Sequence, residues 1–438
     1  MRVIVIGAGP VGLFSGMALA RRGHDVTIVD RDGGPDETGQ WERKGVMQFH
    51  LPHAFRPQVH AALAAELPDV LAAILAEGAI AVEIAPGLTS IQSRRSTFER
   101  GFRKSAVREP ALDFRTGHVD AFVGDNGRIA GVVIDGRTVE ADLVIAASGR
   151  AGRIAGDGRA PAEGGNCGFS YVSRMYRARP GVQVPVSPLP FGALYRGYLT
   201  IAFPQDDNTV CALLVRSSAD DALAELRHEA IFARATAMIP NLAPWTDPDR
   251  FEPITRALAG SGLTNSYRSN LNAQGRIPLY GLLFVGDSVS TTNPAAGRGV
   301  SLGLLQAQTM LRLLDADIDL VSVTQQLDGW CTENMRPWFE DHVYWDATLL
   351  RRLAGQDIDL DAKIPSDVIT AAAEQIPEIA PAAGMYLSMM APPSVLTPHE
   401  AQVRQLLRTG WRPPVGQGPT RDELATLVHH DLRAGASR

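Results

Sequence analysis

The chain has 438 residues, 45% of them hydrophobic, and carries 42 Lys and Arg against 48 Asp and Glu, a net charge of −6. That length accommodates two or three domains with sizeable cores, and the acidic balance argues against nucleic acid or an anionic membrane as a partner. Three widely spaced cysteines, Cys167, Cys211 and Cys331, form no CxxC pair and no metal-ligand pattern, which fits a reducing cytoplasm and no bound metal.

Arg2–Ile6 is an apolar, β-branched run that predicts a strand, and Gly7, Gly9 and Gly12 follow it at once. Pro10 and Val11 stand inside this turn, Val11–Arg22 has helical periodicity, and Gly23 ends it. A strand, a Gly-x-Gly-x-x-Gly turn and a helix in that order hold a dinucleotide pyrophosphate. The first glycine permits the turn, the second lets backbone approach the phosphates, and the third brings helix close to strand. The helix N-terminus adds N–H donors and positive potential. The next predicted strand, Asp25–Val29, ends in Asp30, a carboxylate placed for ribose hydroxyls, with Arg31 beside it. The bland alternative is a Gly-rich turn that binds nothing. On this reading Val3–Ala20 belongs to the nucleotide unit and is neither a signal peptide nor a membrane span.

After a polar, Gly-rich loop to Gln40 come GVMQFHLPHAF, a helical segment over Pro57–Leu75 and a further helix over Arg95–Arg103. Strands are predicted at Leu112–Phe114, Val119–Val123 and Gly131–Ile134, and a buried one at Asp142–Ala147 that ends in Ser148-Gly149-Arg150. From Cys167 the pattern changes to three long strands, CGFSYVSRMYRA, ALYRGYLTIAF and NTVCALLV, read as an antiparallel sheet with one covered face that forms the substrate-side domain. A helix over Asp220–Ile239 follows.

Leu282–Val285 is then a buried-strand run that leads into Gly286-Asp287, and Pro294, Gly297 and Gly299 punctuate the approach to an apolar helix from Val300 to Leu314. A second carboxylate this far from the first suits a ribityl hydroxyl of extended FAD better than any part of NAD. The helix N-terminus would face the flavin and stabilise its anionic reduced form; an ordinary Gly-Asp turn is the alternative. Past Leu320 the chain reads as helical, and Thr420–Glu423 has the capping-box pattern. The fold class is α/β: a Rossmann-like FAD domain over 1–165 and 270–320, an antiparallel-sheet substrate domain over 166–269, and a helical region over 321–438.

With these motifs in place, GAGPVG, DLVIAASGR and FVGDS with NPAAGRG together resemble the FAD-dependent monooxygenases of the hydroxylase and epoxidase type, in the glutathione-reductase-like fold. The resemblance covers roughly residues 1–315 and implies that Arg95, in RRSTFERGF, contacts FAD, with Arg43, Gln48, Val119, Ser148 and Gly149 in the same set. RKGVMQFHLPH is similar to the flavin-side loop of a bacterial branch of natural-product tailoring oxidases. The implied chemistry is reduced flavin plus O2, a C4a-hydroperoxide, and transfer of one oxygen to a small, apolar aromatic or alkene substrate. Water must be kept out.

Two departures narrow this. Family hydroxylases that take hydride from NADPH usually carry Asp-Gly where this chain has Ser148-Gly149, which weighs against direct, substrate-gated reduction by NADPH; the expected electron donor is NADPH or NADH, directly or through a separate flavin reductase. The superfamily's halogenases need a Trp-x-Trp-x-Ile-Pro segment and an active-site Lys. Here there is no such Trp pair, and the lysines are Lys44, Lys104 and Lys363.

Candidate catalytic groups are His50, His53 and Tyr171. A neutral imidazole can donate to a peroxide or deprotonate a phenol, although a histidine that merely binds backbone is the commoner case. Alternation places Tyr171 with Phe169 and Ser173 on one face and Arg174 with Tyr176 on the other. Tyr195 and Tyr198 are expected on opposite sides of one strand, and Trp338, His342 and Trp345 form a helical stripe expected in a core or subunit contact. A rival function is an FAD oxidoreductase without oxygen insertion, similar to geranylgeranyl reductases.

Overall fold

A computed structural model describes residues 1–43, 45–150, 152, 154–187, 190–316 and 319–436, without the side chains of 47, 48 and 431–436. Its contacts gather into two units: Met1–Phe49, Phe55–Gly165 and Asn265–Phe339 form one, and His50–Ala54, Asn166–Thr264 and Glu340–Arg438 the other.

The first unit is built on a five-stranded sheet in the order Leu282–Phe284, Leu143–Ala146, Arg2–Ile6, Asp25–Asp30, Leu112–Thr116. Every pairing in it is parallel. The central strands are buried apolar runs, as a parallel sheet covered on both faces requires. Because the strands run the same way, their carboxyl ends bring Gly7, Asp30, Ala147 and Gly286 to one edge, where open α/β sheets bind ligands. Pro10–Arg21 is the first helix, with Pro10 at its N-terminal turn, a position where the missing N–H costs nothing.

The expected helix over Pro57–Leu75 is two helices, Pro57–Glu66 and Pro68–Ala76. Leu67 stands between them at φ −142° and ψ 60°, because the ring of Pro68 disfavours the α conformation in the residue before it. The Asp220–Ile239 segment is likewise broken, into Asp221–Ala224, a 3-10 turn at Glu225–Arg227, and Glu229–Met238.

The second unit holds an antiparallel sheet in the order Phe191–Tyr195, Tyr198–Pro204, Thr209–Ser217, Phe169–Ala178, Phe251–Pro253, with Leu258–Gly260 also paired to Phe169–Ala178. Two expectations are corrected here. ALYRGYLTIAF is a hairpin rather than one strand, and its tight turn places Tyr195 opposite Tyr198. The two rings therefore share a side and stack, 5.1 Å apart and 7° from parallel. The sheet is also covered on both faces. Val172, Tyr176, Tyr198, Ala202, Val210, Ala212 and Leu214 pack with Phe232, Ile239 and Leu424 on one side. On the other side Phe169, Tyr171, Met175, Leu213 and Val215 are buried too. The chain is apolar at both parities here, so alternation could not separate a wet face from a dry one.

The C-terminal helix Arg421–Ala436 opens with the expected capping box. Thr420 N–H donates to Glu423 Oε2 at 2.7 Å and Glu423 N–H to Thr420 Oγ1 at 3.3 Å. Among the described residues no helix is long and apolar enough to cross a membrane.

Candidate dinucleotide site

The glycines of the first motif are there for space. Gly7 has φ +105°, and a Cβ on it would lie 2.4 Å from the Ala147 carbonyl oxygen, so the ends of two strands meet only because it has no side chain. A Cβ on Gly12 would lie 1.9 Å from Gly7 O, whereas one on Gly9 would meet nothing within 4 Å. Gly9 thus borders open space at a helix N-terminus, which is what a pyrophosphate needs. The two motifs, almost 300 residues apart, are packed together through Val11. Its side chain lies 3.3 Å from a Cβ built on Gly286 and 2.5 Å from one on Gly303, so strand end, Gly-Asp turn and Gly299–Asp315 helix close on it.

Asp30 is held from three sides. Its Oδ2 accepts from Ala8 N–H at 2.6 Å and from Arg43 at 2.9 Å, and its Oδ1 accepts from Asp32 N–H at 2.9 Å. Arg43 is buried and also donates to Glu99 at 2.5 Å and to Ala8 O at 3.2 Å. Glu99 has no solvent exposure and accepts from Arg95 as well.

Asp287 follows Gly286 in a 3-10 turn, Gly286–Ser288. Its carboxyl is open to solvent yet enclosed by surrounding protein. That enclosure, rather than loss of solvent contact, raises it above the ordinary carboxylate range, against the opposing fields of Arg95 and Arg150. A Cβ on Gly299 would have Asp287 Oδ1 as its near neighbour, at 3.3 Å, so the helix N-terminus and this carboxylate border the same space. Pro294–Ala296 and Gly297, at φ +63°, lead into that helix. Arg56 donates to Ala296 O at 2.6 Å, and Arg298 lies over the ring of Trp338, which is buried, at 4.4 Å.

Behind the turn, Arg159 donates to Ser288 O at 2.9 Å and lies 3.4 Å from the centre of the Phe284 ring. Burial pulls its guanidinium down to about 9; Arg268 adds to this and Asp157 opposes it. Gln306 fixes the strand to the helix, accepting from Gly286 N–H at 2.7 Å and donating to Phe284 O at 3.1 Å. None of Glu99, Arg56, Arg159 and Gln306 was singled out from the sequence. Glu99 alone had a local signal, its i,i+4 spacing from Arg95.

The structure brings Gly7, Gly9, Pro10, Val11, Gly12, Asp30, Arg43, Arg95, Ser148, Gly149, Gly286, Asp287, Pro294, Gly297, Gly299 and Val300 into the first unit. Ser148 Oγ stands 3.5 Å from Ser288 Oγ. Arg31 is exposed, and its guanidinium lies 3.6 Å from a Cβ built on Gly45. Val119 is buried and begins a separate three-stranded sheet, paired with Ile134. Gln48 lies in the 3-10 turn Met47–His50, with its side chain outside the described residues. His50, His53 and Tyr171 belong to the second unit. His50 is exposed, His53 O accepts from Gln205 at 3.4 Å, and Tyr171 is buried between Val215 and Gly260 of adjoining strands.

These features fit FAD: open space at Gly9 beside amide donors, a carboxylate at the second strand's end, and an accessible carboxylate beside a second helix N-terminus. Residues 2–110 match the family model described as FAD dependent oxidoreductase. The NAD-dependent dihydropyrimidine dehydrogenase subunit PreT of Escherichia coli is 43% identical over 53 residues, 12% of this chain and 12% of that protein. A D-amino acid dehydrogenase of Rhizobium johnstonii is 49% identical over 49 residues, 11% of this chain and 12% of that one. The chain therefore matches only a small part of these relatives' length. Among solved structures, the flavin-dependent brominase Bmp2 superposes at TM-score 0.58 and 14% identity, covering 86% of this chain and 100% of that one. The Diels-Alderase PyrE3 gives 0.60 at 16%, covering 90% and 80%. 2-Methyl-3-hydroxypyridine-5-carboxylic acid oxygenase gives 0.57 at 14%, covering 80% and 92%. Identities this low establish a shared fold, and the fold hosts more than one chemistry.

Proposed function

We propose that this chain, which carries an FAD-dependent oxidoreductase domain over residues 2–110, is a monooxygenase that inserts one atom of O2 into a small, apolar aromatic or unsaturated metabolite. The observation that carries the cofactor part is the closure of both glycine motifs on Val11, which sets Asp30 and Asp287 at the edge of one sheet. Bound FAD would supply the electron storage and the activation of dioxygen. Around it, Gly9 and the first helix would hold the pyrophosphate, Asp30 would accept from ribose hydroxyls, and Asp287 would accept from the ribityl chain. First-turn amides of the Gly299–Asp315 helix would favour negative charge next to them.

Oxygen insertion is supported by the resemblance of GAGPVG, DLVIAASGR and FVGDS with NPAAGRG to hydroxylases and epoxidases, and by an oxygenase among the fold neighbours. The brominase chemistry is not carried over, because the Trp pair and a matching Lys are lacking. An apolar substrate is what the same resemblance implies. His50 and His53 remain our candidates for proton transfer, and three buried cysteines outside any disulfide suit a cytoplasmic setting.

The test is to supply FAD-loaded protein with NADPH, NADH or a flavin reductase under 18O2, with a panel of aromatic and alkene compounds. We expect one compound to gain a single 18O atom. A product that gains two hydrogens and no oxygen would establish instead the reductase reading, on the geranylgeranyl-reductase pattern.

A further inference from the structure

We propose that Arg159 is a positioning residue for the flavin half of the cofactor: it fixes the Gly286–Ser288 turn and so aims Asp287, acting through that carboxylate rather than on the ligand itself. The inference rests on the FAD reading above and does not depend on the reaction that follows.

Arg159 reaches this place on a pinned segment. Before it, Ala155 O accepts from Phe122 N–H at 2.8 Å, and after it, Ala160 N–H donates to Leu271 O at 3.0 Å. The side chain between these fastenings is 3% exposed. Charge balance does not account for it, because Asp157 is engaged by Arg268 at 2.7 and 3.1 Å and stands 3.8 Å from Arg159. Instead Arg159 Nη1 donates to Ser288 O at 2.9 Å, and the guanidinium lies 3.4 Å from the centre of the Phe284 ring. Among the described residues its Nε has no acceptor. A cation so deep and so incompletely hydrogen-bonded is costly to the fold. Its two close partners flank Asp287, Phe284 on the strand that leads in and Ser288 just beyond.

The turn needs such a hold. Gly286 sits at φ +63°, and Asp287 is exposed, so its carboxyl is aimed by the backbone that carries it. Gln306 accepts from Gly286 N–H at 2.7 Å, Thr291 Oγ1 donates to Asp287 O at 3.1 Å, and Arg268 N–H donates to Val289 O at 2.7 Å. Arg159 adds a charge-assisted anchor at the carbonyl between these last two. Without it the peptide after Ser288 can rotate, and a displacement beyond about 0.5 Å spoils a pre-organised contact. The other half of the site has its own supports. Asp30 is held by Ala8 N–H and Arg43, neither of which involves Arg159.

Binding of FAD, compared with binding of ADP, which lacks the ribityl chain, separates positioning from general support. Both dissociation constants are measured on full-length apoprotein of wild type, Arg159→Gln, Asp287→Ala and the double variant, with melting temperatures as the fold control. We expect Arg159→Gln to weaken FAD about tenfold, the scale of one charge-assisted hydrogen bond, while ADP stays within about twofold. In the Asp287→Ala background the effect of Arg159→Gln on FAD should shrink to within about twofold. Unchanged FAD affinity in Arg159→Gln overturns the proposal. Equal weakening of FAD and ADP overturns it too, since that marks a residue that merely supports the fold, and so does a tenfold effect that survives Asp287→Ala. Should Arg159→Gln fail to fold, Arg159→Lys keeps the charge but cannot lie flat on Phe284 while reaching Ser288 O, and it carries the same expectation. Wild-type apoprotein that binds no FAD at all would overturn the cofactor reading itself, an outcome distinct from tight FAD binding that ignores Arg159.

Discussion

Asp287 shows how one carboxyl can serve a ligand at the expense of the empty fold. Although its side chain is open to solvent, the protein enclosing it raises its pKa against the fields of Arg95 and Arg150, so ionisation in the folded apoprotein carries a cost, reduced by solvent screening, that the unfolded chain does not incur. For an acid raised in this way, the favourable contribution is full below the unfolded value of about 3.9 and is lost as pH rises through the folded value. Asp287→Asn apoprotein should therefore melt higher than wild type at pH 7, with the difference shrinking as pH falls toward 4. The same change should weaken FAD retention by removing an anionic acceptor. Equal melting temperatures at pH 7 would contradict the raised carboxyl, and unchanged FAD affinity would remove Asp287 from the site. At this scale the sequence was legible where spacing alone carries the chemistry, as at Gly7, Gly9, Gly12 and Asp30. Gln306 and Arg159 were not legible, because their partners Gly286 and Ser288 are 20 and 129 positions away and only the fold brings them near.

Elements hold these residues in register, and Gly101 is where that can be tested. A Cβ at Gly101 would lie 2.6 Å from Ile74 Cα and 3.0 Å from Ile74 N, so the Arg95–Val107 and Pro68–Ala76 helices meet backbone to backbone there. Backbone cannot swing aside as a flexible side chain would. Gly101→Ala should destabilise the fold by about 1–3 kcal/mol, the usual cost of overpacking, and should lower FAD occupancy because Arg95 and Glu99 ride on the displaced helix. Thermal unfolding and cofactor content of the purified protein check both; an unshifted melting temperature would mean that the helices separate freely. The elements the sequence misjudged had local causes. Pro68 broke a helix by a rule already visible in the chain. Arg196-Gly197, with Gly197 at φ +93°, is a two-residue hairpin loop hidden inside a continuous apolar and aromatic run.

For the molecule as a whole, the open question of mechanism is where electrons enter, and Ser148 bears on it. Fold class and cofactor could be read from three short segments because a parallel sheet must collect its ligand groups at strand ends, and those ends are marked by glycine and aspartate. The substrate could not be read, because apolar, aromatic runs specify dryness rather than identity. Ser148 stands at the end of the Leu143–Ala146 strand with its hydroxyl 3.5 Å from that of Ser288, where the NADPH-accepting hydroxylases that the motifs resemble usually present an aspartate. An uncharged pair cannot order a cationic nicotinamide product or its ribose as a carboxylate would. Under anaerobic conditions, bound FAD should therefore bleach slowly with NADPH or NADH alone and rapidly once a separate flavin reductase is added. Fast bleaching by either nucleotide without the reductase would overturn this, and acceleration by one compound of a substrate panel would show instead that ligand binding gates a direct transfer that Ser148 does not prevent.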